Sequence, residues 1–256
     1  MKYIETHAHY YDEAYNNELD DVLKKVTNAK VTKIVNIGAD IVSSRKVIEL
    51  SSKYENMYAT IGCHPHDVNS FNINEIEKLY LANKDSGKIV GIGEIGLDYA
   101  FVNDNKELQK NVFIAQIKLA IKYNLPIVVH SRDASLDTYN VIKENVPKGY
   151  KLLIHCFAPT DDLVRLVIDN GYTVAFGGNI TYKRNKSFGE YINKIPLSQI
   201  VIETDSPYLS PEPFRGTRND SSRLPIINSK LAEFRNMSEE ECSKIVYANS
   251  QRFYNI

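Results

Sequence analysis

Eight short runs of mostly apolar residues, rich in β-branched and aromatic side chains, recur along the chain at residues 3–7 (YIETH), 33–38 (KIVNIG), 57–62 (MYATIG), 89–93 (IVGIG), 126–130 (PIVVH), 151–155 (KLLIH), 172–176 (YTVAF) and 199–204 (QIVIET). Their length and content are those of β-strands. Between them lie longer segments with apolar residues every three or four positions, among them 18–30, 73–84, 106–124 and 161–171. This spacing predicts helices. The segment 161–171 closes on Asn170-Gly171, a helix stop. Two further helices are expected around 225–235 and 239–248. The second opens at Ser238 with the glutamates of a capping pattern behind it.

Strand and helix alternating eight times imply a parallel sheet with helical crossovers. Eight such units in 256 residues match a TIM-type (β/α)8 barrel, here with extra C-terminal helices. An open doubly wound sheet is the rival. The first strand is not followed by a glycine-rich dinucleotide fingerprint, and the chain contains no P-loop. No linker, repeat or low-complexity stretch divides residues 1–256, so a single domain is expected.

The composition, 43% apolar and 25% charged with a net charge of −1, gives no general pull toward nucleic acid or membrane. Recognition of phosphate has to come from a local site. Cys63, Cys156 and Cys242 lie far apart and form no CxxC, which suits a reducing compartment. The opening MKYIETHAHYYDE lacks the apolar core of a signal peptide. No run approaches the roughly 20 apolar residues of a membrane span. The expectation is a cytoplasmic monomer without a membrane partner.

The chemistry lies where the strands end. His7 and His9 close the first run, and residues two apart in a strand point to the same side. His64 and His66 follow the third run in GCHPHD, Glu94 the fourth, His130 the fifth and His155 the sixth, while Glu203 and Asp205 end the eighth in IETDSPYL. In a barrel these positions share the C-terminal face, where active sites form. Ionisable groups gathered there are costly without a partner, and a metal supplies one. His7, His9, Glu94, His130, His155 and Asp205 are too many ligands for one catalytic zinc, which takes about three. They suit two divalent ions about 3.5–4 Å apart, bridged by a carboxylate. Glu94 is the expected bridge. Asp205 joins His7 and His9 on one ion, and His130 and His155 hold the other.

These residues make the chain resemble the TatD family of metal-dependent nucleases, within the amidohydrolase superfamily. The resemblance runs through ETHAHY (5–10), GCHPHD (62–67), GEIGLDY (93–99), VVHSRDA (128–134), HCF (155–157), ETDSPYL (203–209) and PEPFRGTRN (211–219). It implies a TIM-type barrel, a dinuclear divalent site on the six residues already chosen, and hydrolysis of DNA phosphodiester bonds, often from the 3′ end. Two positions depart from the family pattern. Glu5 stands where an aspartate is usual, one layer below His7, so an extra methylene must fit beneath the site. Ser221 stands where proline is usual, which predicts a looser loop.

In the mechanism expected from this set, a metal-activated hydroxide attacks phosphorus in line with the leaving 3′ oxygen. Asp205 orients the nucleophile and accepts its proton, and Glu94 bridges the ions. His64 contacts a non-bridging oxygen or the leaving group, while His66 is left as a turn or rim residue. Candidate substrate contacts are His64, Arg132, Tyr99, Glu203 and Arg215, with the basic loops YKRNK (182–186) and Arg218 nearby in the chain. Tyr99, Phe157, Tyr182 and Tyr208 follow strands and are candidates to stack bases. Near-zero net charge favours short or single-stranded DNA or a nucleotide over long duplex. The same ligands also suit hydrolysis of an ester, a lactone or a D-aminoacyl-tRNA. A metal-binding quality-control protein is a third reading. The two ions are expected to be Mg, Mn or Zn, and four histidines favour zinc, manganese, iron or nickel over magnesium, which prefers oxygen.

Overall fold

The computed structural model describes residues 1–100 and 105–256. Eight strands, β1 (Tyr3–Ala8), β2 (Val31–Ile37), β3 (Met57–Ile61), β4 (Ile89–Asp98), β5 (Ile127–Arg132), β6 (Leu152–Ile154), β7 (Thr173–Phe176) and β8 (Ile200–Ile202), form one parallel sheet in sequence order. The sheet curls on itself. Ala8 pairs in parallel with Ser206, His9 N–H donates to Ser206 O at 2.7 Å, and Asp205 N–H donates to His7 O at 2.9 Å. The fold is therefore a TIM-type barrel, and β8 meets β1 where the histidine pair sits.

The crossovers are α1 (Leu19–Asn28), α2 (Ile41–Lys53), α3 (Ile73–Asn83), α4 (Lys106–Lys122), α5 (Ser135–Asn145), α6 (Asp161–Asn170) and α7 (Phe188–Lys194), followed by α8 (Leu224–Phe234) and α9 (Glu239–Tyr254). α6 stops where Gly171 adopts a left-handed φ of 71°. α9 starts at the Ser238 cap, whose side chain accepts the Glu241 N–H. Of the two C-terminal helices, α8 completes the eight βα units and α9 is the extra one. It runs on to Tyr254, six residues beyond the expected end at 248, because Phe253 and Tyr254 are buried. They join a cluster with Val35, Val90, Val128, Leu153, Ala175 and Val201. No helix among the described residues is long and apolar enough to cross a membrane.

The period of two along a strand then sets the site. Val128 belongs to the interior cluster, and His130 has its parity; Leu153 is followed in the same way by His155, and Val201 by Glu203 and Asp205. His130, His155 and Glu203 each stand one layer above an apolar residue. β4 is the exception in length. It runs through Glu94 to Asp98 rather than ending at Glu94. Its glycines let it press on β5: a Cβ on Gly96, at φ 145°, would lie 2.0 Å from His130 O.

Candidate metal centre

Glu94 is the middle of the site. Its Oε1 lies 2.7 Å from His155 Nε2, 2.8 Å from His130 Nδ1 and 3.7 Å from His64 Nε2. Its Oε2 lies 3.3 Å from His7 Nε2 and 3.8 Å from His9 Nε2. One carboxylate thus presents an oxygen to each of two half-sites. Asp205 Oδ1 closes the first, 3.3 Å from His9 Nε2 and 3.7 Å from His7 Nε2. Burial pushes the Glu94 carboxyl up, and the imidazoles of His155, His7 and His64 outweigh it, holding the group well below the usual range. Burial likewise opposes ionisation of Asp205, and the bond to His9 outweighs it, so its carboxyl is also lowered.

The back sides of the rings fix which nitrogens face inward. His9 Nδ1 is 3.0 Å from the Ile37 carbonyl, which can only accept, so His9 carries its proton there and turns a lone pair of Nε2 to the centre. His130 Nε2 is 3.1 Å from Asp98 Oδ2, which turns the Nδ1 lone pair inward. His155 Nδ1 lies 3.4 Å from Glu203 Oε1, with Nε2 inward. As a result His7 Nε2 and His9 Nε2 face each other at 3.2 Å, and His130 Nδ1 and His155 Nε2 at 3.1 Å. Imidazole nitrogens that converge at this spacing beside carboxylate oxygens are placed to share a cation. The donor set of four imidazoles and two carboxylates fits two borderline divalent ions, and all six expected ligands are brought together in it.

His64 leans in from the β3 side. Its Nδ1 accepts the His66 N–H at 3.1 Å, so Nε2 holds the ring proton. Burial lowers its pKa to about 3, and it is a neutral donor at physiological pH. Asp98 was not singled out from sequence. Its Oδ2 also lies 3.0 Å from His66 Nε2, and Oδ1 accepts the Ala100 N–H at 2.9 Å. Burial raises this carboxyl, but the His130 and Ala100 bonds bring it down to about 2, so it stays ionised. The signal for it was parity: had strand 4 been extended, Asp98 would have fallen four residues past Glu94.

Two expectations require correction. Glu203, expected as a substrate contact, is fully buried. It accepts the Cys156 N–H at 2.6 Å and backs His155 from below, where a substrate cannot reach. Ser221, expected to loosen its loop, is also fully buried: its N–H donates to Tyr10 Oη at 2.9 Å and its Oγ accepts from the same hydroxyl at 2.7 Å. Asn219 adds bonds to Thr204 O at 2.9 Å and Tyr208 O at 2.7 Å, so the loop is tied down.

The outer contacts divide. Arg132 is exposed at the end of β5. Arg215, also exposed, lies over the Tyr182 ring at 4.7 Å. Tyr99 is half-buried and donates its hydroxyl to Asp137 at 2.7 Å, with Lys106 above its ring. Arg218 is engaged with Ala14 O and Glu18. Phe157 and Tyr182 are buried, which removes them as stacking surfaces, whereas Tyr208 is exposed.

A family model described as TatD related DNase matches residues 4–255. An uncharacterized metal-dependent hydrolase of Bacillus subtilis, YabD, is 35% identical over 254 residues, covering 99% of each chain. Among solved structures, the TatD homologue YJJV of Escherichia coli K12 aligns with a TM-score of 0.90 at 27% identity, over 99% of this chain and 98% of that one. A TatD family hydrolase of Entamoeba histolytica aligns with a TM-score of 0.87 at 26% identity, over 99% and 98%.

Proposed function

The chain belongs to the TatD family of metal-dependent hydrolases, and from that premise we propose that it is a deoxyribonuclease that shortens single-stranded or short DNA from the 3′ end. The observation that carries this reading is Glu94, with one oxygen toward each of two histidine half-sites. His7, His9 and Asp205 would hold one divalent cation, His130 and His155 the other, with Glu94 shared. Cations held by these residues would supply a water of lowered pKa and positive charge toward phosphoryl oxygens.

The chain's own residues do the rest. The Asp205 carboxylate, kept ionised, accepts the proton of the attacking water and directs the water at phosphorus in line with the 3′ oxygen. Neutral His64 donates its Nε2–H to a non-bridging oxygen, where the bond strengthens as charge develops. Arg132, exposed as the last residue of β5, and Arg215, exposed in the loop after β8, serve the backbone phosphates. The near-zero net charge adds little for long duplex.

The test is a cleavage time course on a 5′-labelled single-stranded oligomer with Mg²⁺, Mn²⁺ and Zn²⁺ in parallel, against EDTA and Asp205→Asn controls. A ladder shortening from the 3′ end with at least one ion, and absent in both controls, is expected. Intact oligomer with every ion, from protein carrying two metals, would overturn the nuclease reading and turn the search to ester and lactone substrates.

A further inference from the structure

Tyr208 is 52% exposed, yet it is held at three points. Its N–H donates to Asp205 O at 2.8 Å, its carbonyl accepts from Asn219 Nδ2 at 2.7 Å, and its hydroxyl donates to Asp12 Oδ2 at 2.9 Å. An exposed aromatic ring normally keeps its rotamer freedom, and fixing it gains nothing from burial. Here the ring is anchored through its hydroxyl while half of the residue stays exposed. Its centroid is 6.0 Å from that of His9, a residue of the first half-site, with the planes 59° apart. Of the other strand-end aromatics, Phe157 and Tyr182 are buried, Tyr99 is half-covered, and Tyr11, half-covered too, turns its hydroxyl to His9 Nδ1 at 3.3 Å. Asp12 beside the hydroxyl repels a phosphate from this edge, while an uncharged planar ring is accepted.

We propose that Tyr208 is the stacking platform for the nucleobase that adjoins the scissile phosphate. The proposal rests on the nucleic-acid reading of the metal centre and adds to it a subsite. Stacking on one aromatic face is tolerant of base identity, so the subsite gives grip without sequence preference. Fixing the ring beforehand removes part of the ordering cost of binding. Because the Tyr208 N–H is bonded to the Asp205 carbonyl, a base on this ring is registered to the residue that directs the attacking water.

The experiment uses an oligomer whose 3′-terminal base is 2-aminopurine, which loses fluorescence when stacked, with a phosphorothioate at the last linkage to slow hydrolysis. Wild type, Tyr208→Phe and Tyr208→Ala are titrated against it, and against the same oligomer with an abasic 3′ end. Wild type and Tyr208→Phe are expected to quench the base. Tyr208→Ala is expected to lose the quench and bind about 5- to 100-fold more weakly, with an unchanged Tm. All three should bind the abasic oligomer alike. Equal quench in Tyr208→Ala, no quench in wild type, or an equal loss of affinity for the abasic oligomer would overturn the platform. An oligomer that stacks but is never cut removes the nuclease reading alone, and one that is cut but never stacks removes the platform alone.

Discussion

Glu5 reaches across the seam of the barrel to Thr204, accepting its N–H at 2.9 Å and its hydroxyl at 2.6 Å, and it accepts the His7 N–H at 3.1 Å as well. One fully buried carboxylate thereby joins β1 to the end of β8. The residues it holds are His7 itself and the neighbour of Asp205, so its length sets the gap between two ligands of the first half-site. Shortening it by one methylene in Glu5→Asp is expected to weaken cation binding there by about 10- to 100-fold while the second half-site is spared. Chelator competition, read as two separate affinities, checks this. Equal weakening of both affinities would assign Glu5 to general stability instead.

Glu94→Ala removes the group between the two sets of imidazoles. Bound metal is expected to fall from two ions toward one, because each half-site loses a ligand and the shared charge that offsets two adjacent cations disappears. Elemental analysis of dialysed protein measures it directly, and unchanged stoichiometry would rule out the bridge. The fold is expected to survive, since the barrel wall around Glu94 is tied by backbone bonds: its own N–H donates to Gly38 O at 3.0 Å.

Away from the centre, Lys25 Nζ lies 2.6 Å from Asp220 Oδ2 and ties α1 to the turn before α8. Burial raises the Asp220 carboxyl, but Lys25 and the Ser222 N–H outweigh it and leave it below its ordinary value. A lowered folded-state pKa stabilises above the unfolded value of about 4 and ceases to do so as pH falls through the folded one. Asp220→Asn is therefore expected to lower Tm at neutral pH by roughly 2–4 °C, for a loss of about 1 kcal/mol. The difference should close in acid, below the folded-state pKa. Melting curves of both proteins across that range check it. A gap that persists undiminished in acid would mean that charge is not the cause.

What was legible in the chain was whatever depends on periodicity. Parity two along β1 puts His7 and His9 on one side, where both rings face Glu94, while His130, His155 and Asp205 were legible as residues at the ends of strands. Less legible was whatever depends on a partner distant in sequence. α2 buries Ser43, Ser44 and Ser51 beside Val47, so its apolar face carries polar letters. Glu203 reads like a rim acid, but the short β8 and the turn at Cys156 enclose it. Ser221 reads as a missing proline, and only the fold reveals Tyr10 as its partner. Asp98 was hidden by ending strand 4 too early: the pairing of Leu97 with Ser131 and of Asp98 with Arg132 extends the strand past its apolar run.

Asp98 also supplies the sharpest test of how the second half-site is set. Its Oδ2 is shared between His130 Nε2 at 3.1 Å and His66 Nε2 at 3.0 Å. An ionised acceptor behind His130 locks the tautomer and makes the inward Nδ1 more basic. Asp98→Asn keeps the shape but removes the charge, and an amide NH₂ can oppose the His130 N–H. Cation affinity at the second half-site is expected to fall about 10- to 100-fold, with the first unchanged. His66→Ala removes only the other partner of the same oxygen and should leave that affinity near wild type. If the two variants weaken binding equally, the His66 side of Asp98 matters as much as the His130 side, and tautomer control is not what Asp98 contributes. Loss in Asp98→Asn alone would tie the inward lone pair of His130 to a single buried carboxylate on the extended end of β4.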